Sequence, residues 1–236
     1  MALPKLVAPV YEIKTAVSNK VIKFVPFRVK EEKILLIALE SENETQIKNA
    51  VITILKNCIV NKIKLEDLAI FDLEYLFLNI RAQSLGSVIE LKVPYQDQPE
   101  FFADVKIDID ELKVLVPEGH TNIIKLNDDI SLVMKYPSFD MFISDNFITG
   151  DKINDIFSIC TSCIDEIIDG TEIHKVSDNT AEEIEEFVGS LDTIQFKAIQ
   201  EFITNIPKVE HTIEITNPET GVETKIVLSG LGSFFQ

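Results

Sequence analysis

The sequence predicts an α+β fold in which antiparallel β-hairpins combine with two groups of helices in one mixed chain. Short stretches of alternating apolar and polar residues flank turn-forming residues, which is the pattern of hairpins. Longer stretches with apolar residues every three or four positions separate them, which is the pattern of amphipathic helices. The 236 residues are 46% hydrophobic and include fifteen Phe, so the chain can bury a sizeable core.

A hairpin and three helices are predicted for the first part of the chain. The hairpin strands are Val10–Thr15 and Lys20–Val25. The helices and one short helical turn follow in this order: Val29–Glu40, a second helix starting at the capping-box pattern Ser41-Glu42-Asn43-Glu44, the turn Leu65–Leu68, and a third helix at about Asp72–Leu85 that ends at Gly86.

The first of these helices contains the run Ile34–Leu39, which is apolar on every face. Such a helix has to be covered all round, either by the protein core or by a partner. None of its residues has the chemistry of a catalyst, so the run points to packing or assembly. We favour the core for the run itself and expect a partner at its exposed edge, Phe27 and Arg28.

Two further hairpins are predicted next, and then helices. The first has strands Val88–Val93 and Phe101–Ile109 around the loop Pro94–Pro99, and strict alternation in Val105–Asp110 leaves one of its faces wet. The second pairs Asn122–Leu126 with Ile130–Lys135. After Pro137 the sequence predicts four helices: Ser138–Asn146, Ile153–Ile168, Ala181–Gly189 and Asp192–Asn205. A last hairpin follows, with strands Glu210–Thr216 and Val222–Leu228 and its turn at Asn217–Gly221.

The composition shifts mildly at Pro137, where β-rich sequence gives way to acidic helices. This suggests a hairpin, three-helix and β-hairpin region at residues 1–136, and an acidic helical region with a C-terminal β-hairpin at residues 137–236. No linker marks the border, so one continuous domain remains the alternative.

The charge is strongly acidic and unevenly distributed. The chain has a net charge of −17, yet Met1–Leu35 holds seven Lys or Arg against three Glu, a net +4. Asp140–Ile206 holds fifteen acids against three Lys, a net −12. An acidic protein repels nucleic acid and anionic membranes, so neither is expected as a partner. The acidic helices are either a solvated surface or a face for a basic partner.

No segment reads as a membrane span or a secretory signal, so a cytosolic protein is expected. Three Cys do not form a disulfide framework in a chain of this length. Cys160 and Cys163 have C-x-x-C spacing, but both fall in a predicted helix and are expected to be buried structural thiols. His174 alone cannot complete a zinc site with them.

The sequence shows no catalytic motif. The three His are isolated from one another, and neither a nucleophile elbow nor a phosphate-binding loop is present. We therefore expect no catalytic residue, no metal site and no cofactor, and we do not expect an enzyme.

Aromatic clusters at the ends of elements are the better functional candidates. Tyr136, Pro137 and Phe139 lie together at one junction, and Phe234-Phe235 follows a Gly-containing turn near the end of the sequence. The Phe pair either folds back onto the core or docks into another chain.

Six segments in order resemble the baseplate hub assembly proteins of T-even-type contractile-tailed bacteriophages. The similarity extends from about Leu3 to Phe235. The six segments are Phe24–Leu36, Phe71–Leu78 continuing to Arg81-Ala82, Met134–Ser138, Cys163–Ile167, Ile206–His211, and Leu228–Leu231 closing on Phe234-Phe235. Relatives often carry paired cysteines in the hairpin loops, but Pro94–Pro99 and Asn217–Gly221 contain none. Metal-stabilised hairpins are therefore not implied for this chain.

The resemblance implies a non-enzymatic late protein that is needed to build the central hub of the tail baseplate. It would act as an assembly factor or chaperone in the host cytoplasm, or remain in the virion tail as a minor hub subunit. Its partners would be other tail, hub or tape-measure proteins, and self-association stays open. The residues expected to contact a partner are Phe27, Arg28, Tyr136, Pro137, Phe139, Phe234 and Phe235.

Overall fold

A computed structural model describes residues 6–137, 153–230 and 233. Their contacts form two units, one built from the residues up to Leu115 together with those from Lys208 onward, and one from Val116–Pro207. This grouping differs from a border at Pro137, because the C-terminal hairpin joins the N-terminal unit. Val114 and Leu115 pair with Val209 and Lys208, so the chain returns to the first unit beside the point where it left.

The predicted α+β class is confirmed, and every strand pairing within the described residues is antiparallel. In chain order the strands are β1 Tyr11–Lys14, β2 Val21–Phe24, β3 Val88–Pro94, β4 Phe102–Asp108, β5 Val114–Leu115, β6 Ile123–Lys125, β7 Ile130–Met134, β8 Ile164–Asp169, β9 Glu172–Lys175, β10 Lys208–Thr216 and β11 Glu223–Ser229. The helices are α1 Val29–Glu40, α2 Glu44–Cys58, α3 Ile70–Leu85, α4 Ile153–Ser162, α5 Ala181–Gly189 and α6 Thr193–Thr204.

Helix α3 is the centre of the first unit. Ten of its sixteen residues are buried, among them Leu76, Phe77 and Leu78 with no exposed surface. A helix apolar on nearly every face is stable only when other elements enclose it, and α2, β5 and β10 pack against α3. It ends at Gly86 as predicted, where a φ of 104° favours glycine.

Helix α1 has the predicted bounds, whereas the predicted cap of α2 is wrong. The helix starts at Glu44, but its cap is Asn43, whose side chain accepts a hydrogen bond from the Gln46 amide at 3.0 Å. Ser41 ends α1 instead, and its hydroxyl donates to the Ala38 carbonyl at 2.6 Å. Only three residues separate the two helices. Ser41 is taken up in ending α1, and Asn43, directly before Glu44, is the residue in position to cap α2.

The loops of the two long hairpins, β3–β4 and β10–β11, are tied to each other by side chains; we call this arrangement the loop clasp. The buried Asn217 amide donates to both Asp97 carboxylate oxygens at 3.2 Å and to the Gln98 side-chain oxygen at 3.0 Å. The Thr220 hydroxyl also donates to Asp97. A second link runs from the Gln96 amide to the Thr224 hydroxyl at 3.2 Å. Hydrogen bonds from Thr220 and Asn217 outweigh partial desolvation and lower the pKa of Asp97.

The second unit is a four-stranded sheet, in the order β6-β7-β8-β9, with helices α4, α5 and α6. Its core includes Leu132, Cys160, Ile164 and Ile199. The predicted helix Ser138–Asn146 lies outside the described residues.

The predicted helix Ile153–Ile168 is wrong in its second half. The helix ends at Ser162, and Ile164–Asp169 is strand β8, paired with β7 and β9. Asp169 at the end of β8 pairs with Glu172 at the start of β9, so the turn between them is Gly170-Thr171, with Gly170 at a φ of 56°. A glycine at the first position of a two-residue turn, beside β-branched residues, is a hairpin signal, and here it outweighs the helical spacing of the preceding residues.

We expect Asn217→Ala to lower the free energy of unfolding by about 1–3 kcal/mol, because it removes a buried amide that links the two hairpin loops. Urea unfolding measures the change. The control is Asn49→Ala at an exposed position of α2, which should stay within about 0.5 kcal/mol of the parent. Equal unfolding midpoints for the two variants would show that the loop clasp contributes nothing to stability.

Candidate partner-binding surface

The junction between β2 and α1 places Phe27 and Arg28 differently. Phe27 is buried, and its amide donates to the Ser84 hydroxyl of α3 at 2.9 Å. The expectation that Phe27 is exposed is therefore wrong, because its ring anchors this junction to the core. Arg28 is exposed, and its guanidinium Nη2 donates to the Leu6 carbonyl at 3.3 Å. Arg28 thus holds the N-terminal segment against the start of α1.

These residues line an open groove of about 950 Å³, which we call the N-terminal groove. Pro26 and Phe27 line it together with residues of the N-terminal segment and of the end of α3. Four of the lining side chains are aliphatic and strongly exposed: Leu6 (85%), Val7 (95%), Val29 (80%) and Leu85 (51%). Isolated exposed aliphatic residues are common on soluble proteins, but several around one concavity are typical of a binding site.

The charged rim of the N-terminal groove is organised by Glu31. This buried carboxylate accepts hydrogen bonds from the Arg28 amide at 3.1 Å, from Lys30 Nζ at 3.0 Å and from Asn57 Nδ2 at 3.2 Å. Burial alone would raise the pKa of Glu31, but the hydrogen bonds and the Lys30 charge outweigh it and lower that pKa. The carboxylate therefore fixes the first turn of α1, which carries Arg28, Val29 and Lys30 along the groove.

The apolar run of α1 divides between core and surface. Leu35 and Ala38 are buried as expected, whereas Leu36 and Ile37 are more than half exposed. The prediction of a fully enclosed run is therefore wrong. Leu36 and Ile37 lie seven and eight residues after Val29, on the same side of the helix. Glu32 and Lys33 lie between Val29 and these two residues on that side, so Leu36 and Ile37 form a separate exposed aliphatic pair on α1.

Tyr136 and Pro137 belong to an aromatic cluster in the second unit. The Tyr136 hydroxyl and His120 Nε2 share a hydrogen bond of 2.9 Å, and the rings of His120, Tyr136 and Phe202 stack with centroids 5.5–5.7 Å apart. Burial lowers the pKa of His120. Tyr136 is half-buried and Pro137 is buried, so both pack against their own unit. A partner contact at these residues stays a prediction.

Phe139, Phe234 and Phe235 lie outside the described residues, so their predicted role also remains a prediction. Sequence reasoning missed the exposed pair Phe101-Phe102 at the end of the first long hairpin. A signal was available, because consecutive strand residues point to opposite faces and two adjacent Phe cannot both face the core.

The three cysteines are all free and buried. Cys160 lies on α4, Cys163 follows the end of that helix, and Cys58 ends α2. Burial raises the pKa of Cys58 and Cys163 to about 12 and that of Cys160 to about 11. Within residues 6–137 and 153–230, no three His, Cys, Asp or Glu side chains come close enough to hold a metal ion.

Comparison with known proteins identifies a family for this chain. The family model described as T4 bacteriophage base plate protein matches residues 8–236. No curated protein and no solved structure matches the chain. Among the helices in the described part of the chain, none is long and apolar enough to cross a membrane.

We expect the three thiols of the folded protein to resist iodoacetamide at pH 8. Their raised pKa values keep them protonated, and only the thiolate reacts. Mass spectrometry after labelling of native and urea-unfolded protein measures this difference. The unfolded chain should take up three labels, and rapid stoichiometric labelling of the native protein would contradict the burial described above.

Proposed function

The chain belongs to the T4 bacteriophage base plate protein family, and we propose that it is a non-enzymatic assembly factor for the central hub of a phage tail baseplate. In this role it works in the host cytoplasm and binds another hub, tail or tape-measure protein until that protein is built into the baseplate. The resemblance of the six sequence segments to hub assembly proteins supports the hub over other parts of the baseplate.

The observation that carries this proposal is the N-terminal groove. Full burial of an aliphatic side chain contributes about 1.5–3 kcal/mol, and Leu6, Val7, Val29 and Leu85 all remain strongly exposed in the free chain. Covering even half of this surface would supply several kcal/mol of binding free energy before the costs of association. An assembly factor that binds its partner only for a time needs an apolar groove of limited size. The groove must be apolar enough to bind the partner and small enough to leave the free protein soluble.

Charge adds a preference for one kind of partner segment. Arg28 and Lys30 lie on the rim of the groove, within the N-terminal part of the sequence that has a net charge of +4, and Glu32 lines the same groove. Lys30 is already paired with Glu31, so an apolar segment with one carboxylate near Arg28 would satisfy both the aliphatic lining and the remaining cation. Complementary charge of this kind mainly raises the association rate and fixes the orientation of the partner.

A binding role also agrees with the chemistry of the titratable side chains in the described residues. The thiols are buried and protonated, and His120 is engaged with Tyr136. These groups serve packing, and none of them faces the N-terminal groove. The polar side chains that line the groove, among them Glu32 and Ser84, are accompanied by neither His nor Cys, so the groove offers a partner mainly shape and apolar surface.

The alternative is a minor structural subunit that stays in the baseplate hub of the virion. A permanent subunit would bury the same groove in the finished particle. Quantitative mass spectrometry of purified virions separates the two roles, since an assembly factor should be absent or far below one copy per hub position. Stoichiometric copies would replace the assembly-factor proposal with the structural one.

We expect Leu6→Asp combined with Val29→Asp to abolish hub assembly while the protein stays folded. Both side chains are exposed, and an Asp at position 29 suits the first turn of α1. Complementation of a phage that lacks the gene measures assembly, by counting complete tails in electron micrographs, and circular dichroism measures the thermal midpoint.

The matched control is Val227→Asp, another exposed valine of the first unit that lies on β11 away from the groove lining. It should assemble tails like the parent protein. Normal assembly by the double variant would refute the groove as the docking surface.

A further inference from the structure

The loop end of the β3–β4 hairpin carries two exposed aromatic rings. Phe101 is 52% exposed and Phe102 is 55% exposed. Phe102 opens β4 on the wet face of the hairpin, opposite Pro94. Tyr95 and Pro99 belong to the same loop. Together with the clasped loop of the β10–β11 hairpin, these residues form a surface that we call the hairpin tip.

The hairpin tip is held in place by more than its own turn. The Phe101 amide donates to the Gln98 carbonyl at 3.0 Å, and the Phe101 carbonyl accepts from the Tyr95 amide at 3.1 Å. The loop clasp joins this loop to the second one through Asp97 and Asn217. A loop fixed by so many hydrogen bonds loses little further entropy when it binds, which is the property of a preorganised docking surface.

The charge of the hairpin tip has one sign. Residues 93–103 and 216–224 contain four carboxylates and no Lys or Arg: Asp97, Glu100, Glu219 and Glu223. Asp104, the next carboxylate of β4, lies opposite Lys92. Asp97 is used inside the loop clasp, and the other three side chains belong to exposed residues. Solvated carboxylates alone are ordinary, but here they surround two phenyl rings that are held outward.

We propose that the hairpin tip docks a cationic, partly apolar segment of a partner protein. Lys or Arg side chains can lie over phenyl faces, and nearby carboxylates strengthen their attraction. Phosphate groups would be repelled by the same carboxylates, which disfavours nucleic acid. The N-terminal groove has Arg28 and Lys30 on its rim and Glu32 in its lining, so it lacks the excess of carboxylates found at the hairpin tip. Binding at the hairpin tip goes beyond the proposed function, because that function requires only the N-terminal groove.

The probe is a fluorescein-labelled peptide of twelve alternating Arg and Leu residues, compared with one of Glu and Leu. The exposed glutamates of α5 also attract the Arg peptide. Titration into ¹⁵N-labelled full-length protein is therefore used, because it shows which residues the peptide contacts. We expect amide shifts at residues 95–102 with the Arg peptide and none there with the Glu peptide. The shifts should weaken as salt rises.

The double variant Phe101→Ser with Phe102→Ser should weaken binding at the hairpin tip by about tenfold or more, since two cation–aromatic contacts are lost. Both side chains are exposed, so the fold should survive, and Val227→Ser serves as the exposed apolar control. Asn217→Ala keeps both rings but opens the loop clasp, and it should weaken binding by a smaller factor. Binding that is unchanged in the Phe double variant, or equal for the two peptides, would overturn the proposal.

Sedimentation of the protein alone tests a second copy as the occupant. A specific dimer would have a Kd in the nanomolar to low-micromolar range. A protein that stays monomeric at concentrations up to about 100 μM would therefore support a different partner. A dimer that the Phe double variant abolishes would assign the hairpin tip to self-association and overturn the proposal. The groove variant Leu6→Asp with Val29→Asp should keep tip binding, so the failure of one surface is distinguishable from that of the other.

Discussion

The enclosure of helix α3 is the constraint on which the first unit depends. Its residues are apolar on nearly every face, and such a helix cannot stand at a surface without exposing a wide apolar band. Helix α2, β5 and β10 cover it, which explains why the chain returns at Lys208 to complete a unit that it left at Leu115. The segment Phe71–Leu78, one of the six that carry the resemblance, lies in this helix and shapes the core. The first of the six, Phe24–Leu36, contains Pro26–Lys30, which line the N-terminal groove.

Helix α1, unlike α3, is covered by the rest of the unit on one side only. Its inner side, with Leu35 and Ala38, packs into the unit, and the buried Glu31 fixes its first turn. Its outer side keeps Val29, Leu36 and Ile37 in solvent. An assembly protein has to present apolar surface without aggregating, and a net charge of −17 helps to keep such a chain soluble. The exposed aliphatic side chains of α1 and of the groove are therefore compatible with a free state that does not aggregate and with docking of a partner.

Local signals predicted much of this fold, and contacts between distant segments accounted for the rest. Helix α1 was predicted residue for residue, since Pro26 and the acidic first turn fix its start. Strand β8 was missed because its isoleucines also fit helical spacing, and only pairing with β7 decides between them. Phe27 was expected at the surface, but a hydrogen bond to Ser84, 57 residues away, places it in the core. The N-terminal groove and the loop clasp join segments that no local pattern connects.

In the proposed role, the N-terminal groove holds a baseplate partner while the hub is assembled. Photo-crosslinking tests it most directly, with p-benzoylphenylalanine placed at Val29 in the groove and, as a control, at Val60, an exposed position outside it. In infected cells, position 29 should give a crosslink to one hub or tape-measure protein that disappears once baseplates are complete, and position 60 should give none. Equal crosslinking from both positions, or no adduct at position 29 in cells that assemble tails normally, would show that the groove is not the docking surface.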